Sequence, residues 1–218
     1  NAVPTLCFDR ARERAQSRDF STLPLAGIPV AIKDLIAVAG VRTTWGSMVY
    51  HDHVPETSDL LVQRIEAAGG IVYAKTNTPE FGTGANTFND VFGFTRNPWN
   101  TALSAAGSSG GSAVALATGM AWLATGSDLG GSLRNPASFF AVAGLRPSQG
   151  RVASDPGNLA FNHMATDGPM ARNVADVALL LDVMAGYDAR DPMSLDDPSI
   201  SFEENALQRQ VPPRIAFS

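Results

Sequence analysis

Residues 107–132 have the sequence GSSGGSAVALATGMAWLATGSDLGGS. Its middle, residues 110–119, is small and apolar, which predicts a buried helix, and MAWLAT at 120–125 follows as a predicted strand. The stretch holds five serines and seven glycines, most of them near its two ends. Such a composition is typical of tight turns, and it also suits a nucleophile surrounded by backbone N–H groups.

The flanking segments alternate between helical and strand patterns. Helices are predicted over residues 5–17, 57–70 and 173–186, and strands over residues 27–33 and 71–75. Thr57 and Ser58 are the candidate caps of the second helix, which Gly69 ends, and Asn173 caps the third. Residues 187–212 are acidic and contain proline, which indicates a connection. Helices that alternate with short strands indicate an α/β layered fold.

The composition excludes several classes of protein. With 218 residues, 44% of them apolar and 17% charged, the chain can bury one sizeable core. A net charge of −5 without a block of Lys or Arg offers no surface for nucleic acid. No apolar run approaches the ~20 residues of a spanning helix, so no membrane partner is expected. The single cysteine, Cys7, excludes an internal disulfide, is expected to pack as a small apolar residue, and fits a cytoplasmic location.

Neither end of the chain looks like the boundary of a fold. The chain begins at Asn1 rather than at Met, and it ends in the apolar, strand-like run PPRIAFS at residues 212–218. We therefore expect both ends to be cuts in a longer chain.

Two familiar motifs fit the glycine and serine clusters poorly. Residues 107–111 match G-x-S-x-G, in which Ser109 would be the nucleophile of an α/β-hydrolase. That motif requires a strand directly before it and a late histidine, but residues 97–106 are loop-like and His163 follows after only about fifty residues. A phosphate-binding loop needs a lysine after its last glycine, and neither cluster has one. Serines and glycines that only pack a turn remain an alternative.

Both lysines of the chain lie at the end of a predicted strand. Lys33 closes the first strand and Lys75 closes the second, whereas a lysine that serves solubility lies among other charges on a helix face or loop. Burial at a strand end disfavours the charged form and lowers the pKa of a lysine. A neutral lysine can act as a general base, so a serine nucleophile in this chain does not need a histidine.

The three histidines offer no metal site. His51, His53 and His163 lie in loop-like sequence and lack the spacing of metal ligands. We expect them at the surface or packed in loops, and we expect neither a metal nor a cofactor.

Four stretches together resemble the amidase signature family. They are GIPVAIKD, AKTNTPEFGTGANT, GSSGGSAVALATG continued by GSDLGGSLRNPA, and VAGLRPSQGRV with GPMARNVADVALLLDVMAG. The resemblance implies an α/β/α sandwich around a mixed central β-sheet and a serine hydrolase with a Ser-cisSer-Lys triad. It also implies that residues 1–218 belong to a single amidase signature domain, with its signature core at residues 27–186.

The resemblance implies a role for each residue of the triad. Ser132 matches the nucleophile, Ser108 the bridging serine at a cis peptide, and Lys33 the general base. Lys33 would take the proton of Ser132 through Ser108 and deliver it to the leaving nitrogen, after which water cleaves the acyl-enzyme. Lys75 is the rival base, but the resemblance gives its AKTN stretch only a supporting role.

The nucleophile loop is expected to form an oxyanion hole. The DLGGS sequence supplies the backbone N–H groups of Leu129, Gly130 and Gly131, together with that of Ser132 itself. Glycine suits this position because it tolerates positive φ and allows close approach of the backbone to a substrate.

We expect structural roles for four further residues near Ser132. Ser109 is expected to support the bridging serine. Asp128 and Arg134 resemble the family's structural pair around the nucleophile loop, and a solvated ion pair of little energetic weight is the alternative. Asn135 is expected to cap the helix that begins at Pro136, and contact with the substrate is the less favoured alternative.

The chain departs from the family pattern in two ways. Ala105-Ala106-Gly107 stands where the family often has Pro-Gly-Gly, and because alanine restricts positive φ, we expect a slightly different bend. Family members are also substantially longer, and their later segment completes the sheet and walls the cleft. We therefore expect an incomplete fold whose apolar face the remainder of the domain must cover.

These expectations lead to an amidase that acts on a small-molecule amide and releases ammonia or an amine. The alternative is a non-hydrolytic role, either as a subunit of an aminoacyl-tRNA amidotransferase that passes ammonia to a partner protein or as a scaffold of the same fold. Whether the protein forms a homodimer stays open at this point.

Overall fold

Short strands form a mixed β-sheet with helices packed on both of its faces. The computed structural model describes residues 1–155, 160–208 and 214. In chain order the strands are β1 (Thr5–Leu6), β2 (Pro29–Lys33), β3 (Ile71–Thr76), β4 (Phe88–Asn89), β5 (Gly93–Phe94), β6 (Leu123–Asp128), β7 (Ala143–Gly144) and β8 (Thr166–Ala171). The helices are α1 (Phe8–Gln16), α2 (Leu60–Ala67), α3 (Gly110–Ala117), α4 (Arg134–Phe139), α5 (Val174–Met184) and α6 (Phe202–Leu207).

The central sheet has the strand order β1-β3-β2-β6-β8-β7, and β4 pairs with β5 in a separate hairpin. Strand β2 is parallel to both β3 and β6, whereas β8 is antiparallel to β6 and β7, and β1 is antiparallel to β3. A parallel pair requires a crossover connection, which α2 provides between β2 and β3 and α3 provides before β6. The predicted α/β class and mixed sheet are therefore confirmed.

Two apolar cores lie on opposite faces of the sheet because successive side chains of a strand point to opposite faces. In β2, Val30 and Ile32 belong to the core that also holds residues of α2 and α5. Ala31, between them, belongs to the core formed with α3 and α4. Helices on both faces make this an α/β/α sandwich, as the resemblance implied.

Helix boundaries differ from the predicted ones where local contacts compete with the helix. The first helix begins at Phe8, because residues 5–6 pair with β3 as strand β1. The caps predicted for α2 are wrong: Asp59 occupies the N-cap position, and Ser58 instead accepts a hydrogen bond from the Ala39 N–H at 2.8 Å. The cap of α5 is confirmed, since the Asn173 side chain accepts from the Asp176 N–H at 2.8 Å.

Strand β6 begins three residues later than the pattern 120–125 predicts. Gly119 adopts a φ of +75°, and the N–H groups of Met120 and Ala121 both donate to the Ala115 carbonyl, so a turn uses these residues. The shift places Asp128 at the end of the strand.

The C-terminal connection contains a helix that the sequence pattern missed. Residues 202–207 form α6, which Ser201 caps by accepting from the Glu204 N–H at 3.1 Å, so the prediction of a plain connection over 187–212 is wrong in this part. Residues 209–212 of that prediction lie outside the described residues. Cys7 is half-buried and packs against the core, and its Sγ donates to the Val72 carbonyl at 3.6 Å. Of the helices in the described ranges, none is long and apolar enough to cross a membrane.

We expect the core around α5 to carry much of the stability. Leu180 is fully buried, and Leu180→Ala should lower the free energy of unfolding by about 2–5 kcal/mol because it leaves a cavity. The matched change Leu207→Ala, at an exposed position of α6, should lower it by less than about 1 kcal/mol. Urea denaturation measures both variants, and equal losses would contradict this placement of the core.

Candidate active site

The carboxyl ends of β2 and β6 and the start of α3 meet at one edge of the sheet. The ladder between β2 and β6 pairs Val30 with Leu123 and Ala31 with Ala124, and it ends before Lys33. Beyond it, the Lys33 N–H donates to the Thr125 hydroxyl at 3.0 Å instead of to a backbone carbonyl. The Lys33 side chain therefore lies where the two strands separate.

Three serine hydroxyls surround the Lys33 amine. Lys33 Nζ donates to Ser108 Oγ at 2.7 Å, to Ser109 Oγ at 2.9 Å and to Ser127 Oγ at 2.9 Å. The lysine is fully buried. Burial lowers the pKa of Lys33 to about 7, against the opposing effect of the negative charges on Asp167 and Asp128. Near neutral pH the amine is therefore partly uncharged, which a proton acceptor requires.

The residues before α3 form a tight bend that presents Ser108. The Gly107–Ser108 peptide is cis, and a Cβ at Gly107 would lie 3.0 Å from the backbone of Ala85. Ala106 adopts a φ of +52°, a left-handed conformation that alanine disfavours, and the slightly different bend expected here stays a prediction. Thr87 holds the bend by donating to the Ala106 carbonyl at 2.8 Å.

Ser132 lies in the loop between β6 and α4 and lines the same cavity as Ser108 and Ser127. The cavity has a volume of about 480 Å³. The Ser109 N–H donates to the Ser132 carbonyl at 3.2 Å, which ties the loop to the start of α3. The structure thus brings Ser108 and Ser132 to one cavity, and the buried Lys33 amine contacts Ser108 from the interior.

The loop amides are not equivalent. Leu129 and Gly130 line the cavity, as an oxyanion hole requires. The Gly131 N–H, however, donates to Asp128 Oδ1 at 2.7 Å. Gly131 therefore helps to hold the loop, and its predicted part in an oxyanion hole stays a prediction.

The Asp128 carboxylate holds this loop through hydrogen bonds. Its carboxylate is buried and accepts from the Leu133 N–H at 3.1 Å and from Arg134 Nε and Nη2, both at 3.0 Å. Burial alone raises the pKa of Asp128, but the hydrogen bonds from Arg134, Gly131 and Leu133 outweigh it and hold the pKa well below its usual range. Arg146 also donates to this carboxylate, at 3.2 Å. A fully solvated ion pair, the alternative considered for Asp128 and Arg134, does not describe this arrangement.

The family model for amidases matches residues 1–218. The chain belongs to the amidase signature family. It is 46% identical over 215 residues to a subunit of the glutamyl-tRNA(Gln) amidotransferase of Synechococcus sp. (strain CC9605), a match that covers 95% of this chain and 44% of that protein.

Solved structures of amidase signature enzymes share the fold. A 6-aminohexanoate cyclic dimer hydrolase complexed with substrate has a TM-score of 0.85 and 36% identity, covering 94% of this chain and 43% of that chain. A bacterial aryl acylamidase of the amidase signature family has a TM-score of 0.86 and 34% identity, covering 93% of this chain and 44% of that chain. The chain therefore spans less than half the length of the proteins it matches.

Asn135 does not cap a helix in this amidase signature chain. Helix α4 begins at Arg134 with Leu133 in the N-cap position, so the predicted cap is wrong by two residues. Asn135 instead lines the cavity beside Ser132, and a Cβ at Gly131 would lie 2.7 Å from Asn135 Nδ2. This position permits contact with a substrate, which was the less favoured alternative.

Lys75 occupies the other face of the sheet. It pairs in register with Ile32, whereas Lys33 pairs with Thr76. Lys75 Nζ forms an ion pair with Asp34 Oδ1 at 3.1 Å and donates to the Thr43 hydroxyl at 2.7 Å. Burial lowers the pKa of Lys75, and the charge of Asp34 opposes this effect. Its partners are therefore those of a structural lysine.

The histidines lie away from the serine cavity. His51 Nε2 contacts Asp52 Oδ2 at 2.7 Å, His53 stacks on Trp45 with ring centroids 5.0 Å apart, and His163 is exposed. In the described part of the chain, no group of three or more His, Cys, Asp or Glu residues could hold a metal ion.

Two residues near Lys33 were missed by sequence reasoning. Ser127 is its third acceptor, although it stands in the quoted GSDLGGS stretch directly before Asp128. Asp167 pairs in register with Ser127 across β6 and β8. Burial raises the pKa of Asp167 to about 7, the charge of Asp59 acts in the same direction, and Lys33 opposes both. No local pattern identifies Asp167, because its relation to the site depends on the antiparallel pairing of β8.

We expect Asp128→Asn to destabilise the fold. The change removes the negative charge that pairs with two guanidinium groups and accepts hydrogen bonds from the loop amides. The free energy of unfolding should therefore fall by about 2–4 kcal/mol. Asp9→Asn is the control, since the 2.9 Å pair of Asp9 with Arg12 is exposed and should contribute less than about 1 kcal/mol. Urea denaturation of both variants is the measurement, and similar losses would argue against the role given to Asp128.

We expect stability to depend on pH through Lys33. Between its folded pKa of about 7 and its ordinary value near 10.4, Lys33 is neutral when folded but protonated when unfolded. Unfolding therefore takes up a proton, and the free energy of unfolding of the wild type should rise relative to Lys33→Met by up to about 1.4 kcal/mol per pH unit. Urea denaturation of both proteins from pH 7 to pH 9.5 tests this, and parallel stability curves would show that the amine is not desolvated.

Proposed function

We propose that this protein hydrolyses a carboxamide C–N bond through an acyl-enzyme on Ser132. The observation that carries the proposal is the 2.7 Å hydrogen bond between the buried Lys33 amine and the Ser108 hydroxyl, at a cavity that Ser132 also lines. A lysine with a pKa of about 7 is matched to proton transfer at neutral pH. Family membership and the amidase neighbours support the same chemistry.

In the proposed acylation step, the neutral Lys33 amine donates to Ser109 and Ser127 and accepts from the Ser108 hydroxyl. Ser132 Oγ attacks the amide carbonyl, and its proton passes through the Ser108 hydroxyl to Lys33. The negative charge that develops on the carbonyl oxygen is stabilised by the N–H groups of Leu129, Gly130 and Ser132. Lys33 then returns the proton through Ser108 to the nitrogen, which leaves as ammonia or an amine. Water cleaves the acyl-enzyme by the same relay.

The remaining residues hold this machinery in position. Ser109 and Ser127 accept hydrogen bonds from Lys33 and fix its amine beside Ser108. Asp128 and Arg134 hold the nucleophile loop, with the Gly131 N–H as the link. Rigid support of this kind matters because the acid, base and nucleophile must be held within a fraction of an ångström.

The same proposal extends to the organisation of the chain. We assign residues 1–218 to a single amidase signature domain with its core at residues 27–186, because one sheet joins strands from Thr5 to Ala171. A small-molecule amide as substrate and a cytoplasmic location belong to this proposal. The single cysteine is what favours the cytoplasm.

A second candidate function is that of an amidotransferase component. It is favoured by the 46% identity to the glutamyl-tRNA(Gln) amidotransferase protein of Synechococcus. The chemistry at Ser132 would be the same, but the ammonia would pass to a partner protein. The discriminating observation is whether the purified full-length protein hydrolyses simple amides by itself or only with a partner protein.

A fluorophosphonate probe tests the nucleophile. We expect the probe to label the full-length protein, Ser132→Ala to abolish the labelling, and Lys33→Ala to lower amide turnover by several orders of magnitude. Ser138→Ala is the matched control, because Ser138 is exposed on α4 and donates only to the Asn135 carbonyl, at 3.0 Å. Intact-mass spectrometry reads the labelling, and a label that survives Ser132→Ala would refute the assignment.

A further inference from the structure

Asp167 is the cross-strand neighbour of a residue that binds the Lys33 amine. It lies opposite Ser127 in the antiparallel ladder between β6 and β8, and Ser127 Oγ accepts from Lys33 Nζ at 2.9 Å. Side chains of residues directly opposite each other in such a ladder lie on the same face, with Cβ atoms about 4.5–5.5 Å apart. The Asp167 carboxylate and the Lys33 amine are therefore both neighbours of the Ser127 side chain.

Close packing next to Asp167 holds this register. Gly168 follows Asp167 and lies opposite Gly126. A Cβ at Gly168 would clash with the Leu145 carbonyl oxygen, and a Cβ at Gly126 would lie 2.9 Å from Ser109 Oγ. Because neither position has room for a side chain, the two glycines must stay where they are, and Asp167 stays beside the lysine site.

Two carboxylates act on the charge of Lys33, and they differ in their own partners. Asp128 forms ion pairs with Arg134 and Arg146, whose positive charges offset its negative charge. Within the described ranges, no cation forms an ion pair with Asp167. Burial lowers the pKa of Lys33, and the charge of Asp167 opposes this effect more strongly than that of Asp128. Asp167 is therefore the less compensated charge near the amine.

The other ionisable groups around Asp167 are acidic or bound elsewhere. Asp59, at the N-cap of α2, adds to the effect of burial in raising the pKa of Asp167. Asp155 and Asp191 line a cavity of about 170 Å³ beside it, where Asp155 is exposed and Asp191 accepts from two backbone N–H groups. The charged side chains on the neighbouring elements bind other groups: Arg64, Lys75, Arg146, Arg151, Asp176 and Asp182. Among the described residues, Lys33 is thus the cation that acts on Asp167.

We propose that Asp167 is a positioning residue that stabilises the protonated amine of Lys33 and so sets the pH range in which this base works. The inference rests on the proposed amide hydrolysis and adds a residue to its machinery. When Lys33 takes the proton of Ser132 through Ser108, the amine becomes an ammonium and is attracted by the Asp167 carboxylate. No proton moves to Asp167 in this step. Because Asp167 acts without binding the amine directly, Lys33 Nζ remains available to Ser108.

Removal of this charge should change the pH dependence of the reaction at Ser132. The measurement is the second-order rate constant for labelling of the full-length protein by an uncharged fluorophosphonate, which reports the base of the free enzyme. In the wild type this rate constant should rise with pH through the Lys33 pKa of about 7. Asp167→Asn should move the rise to lower pH by about half a pH unit or more, because loss of the opposite charge favours the neutral amine. The plateau at high pH should fall about threefold, since the amine is then a weaker base.

Three further variants control this test. Asp155→Asn removes the same charge from the same cavity, but Asp155 is exposed, so the rise should move by less than about 0.2 pH unit. Asp167→Glu keeps the charge and should keep the rise near its wild-type position. Asp167→Ser removes the charge with a smaller side chain and should repeat the shift of Asp167→Asn. Urea denaturation establishes that each variant is folded.

The outcomes separate the inference from the proposed function. A shift to lower pH in both neutral Asp167 variants, absent in Asp167→Glu and Asp155→Asn, supports the inference. Profiles of the neutral variants that superimpose on the wild type, or an equal shift in Asp155→Asn, would overturn it and leave amide hydrolysis intact. Unfolding of both neutral variants would also overturn it, because Asp167 would then support the fold rather than the base. A wild type that is not labelled at Ser132 would overturn the proposed function and the inference with it.

Discussion

A buried amine whose hydrogen-bond partners are hydroxyls rather than carboxylates is the interaction on which the candidate site depends. Lys33 donates to three serines that come from two separate segments of the chain. Because no carboxylate of the described residues forms an ion pair with it, desolvation dominates and the pKa falls toward neutrality. Three parts of the fold must therefore meet at Lys33 Nζ: the end of β2, the start of α3 and the end of β6. The loop that holds Ser132 follows directly after β6.

The two lysines show how the environment decides what a residue does. Both are fully buried near the end of a strand, yet Lys75 has Asp34 as an ionic partner, whereas Lys33 is surrounded by serine hydroxyls. The alternation of side chains along β2 and β3 places them on opposite faces of the sheet. A pairing register shifted by one residue would turn one strand over and place both lysines on the same face, so the register of the two strands keeps their surroundings separate.

The sequence predicted those parts of the structure that local patterns determine. The strand before Lys33, the helix after Ser109 and the Asn173 cap all follow from apolar periodicity and cap chemistry. The start of β6 did not follow, because the turn at Gly119 uses Met120 and Ala121, which the apolar run at 120–125 assigned to the strand. Asp167 and Arg146 also escaped prediction, since only the pairing of β8 and the fold of residues 143–152 bring them near the loop. Resemblance suggested Ser108 and Ser109, but it revealed neither the contact of Ser127 with the lysine nor the hydrogen bond from the Gly131 amide to Asp128.

The short ladder between β2 and β6 has a consequence for how such a site arises. The two strands share paired residues only as far as Ala31 and Ala124, and the Thr125 hydroxyl then substitutes for a main-chain acceptor. The Lys33 amine thus lies where two strands separate, between the interior of the domain and the cavity that Ser132 lines. A continuous ladder would have sealed this gap with backbone, so the cleft exists because two neighbouring strands part early.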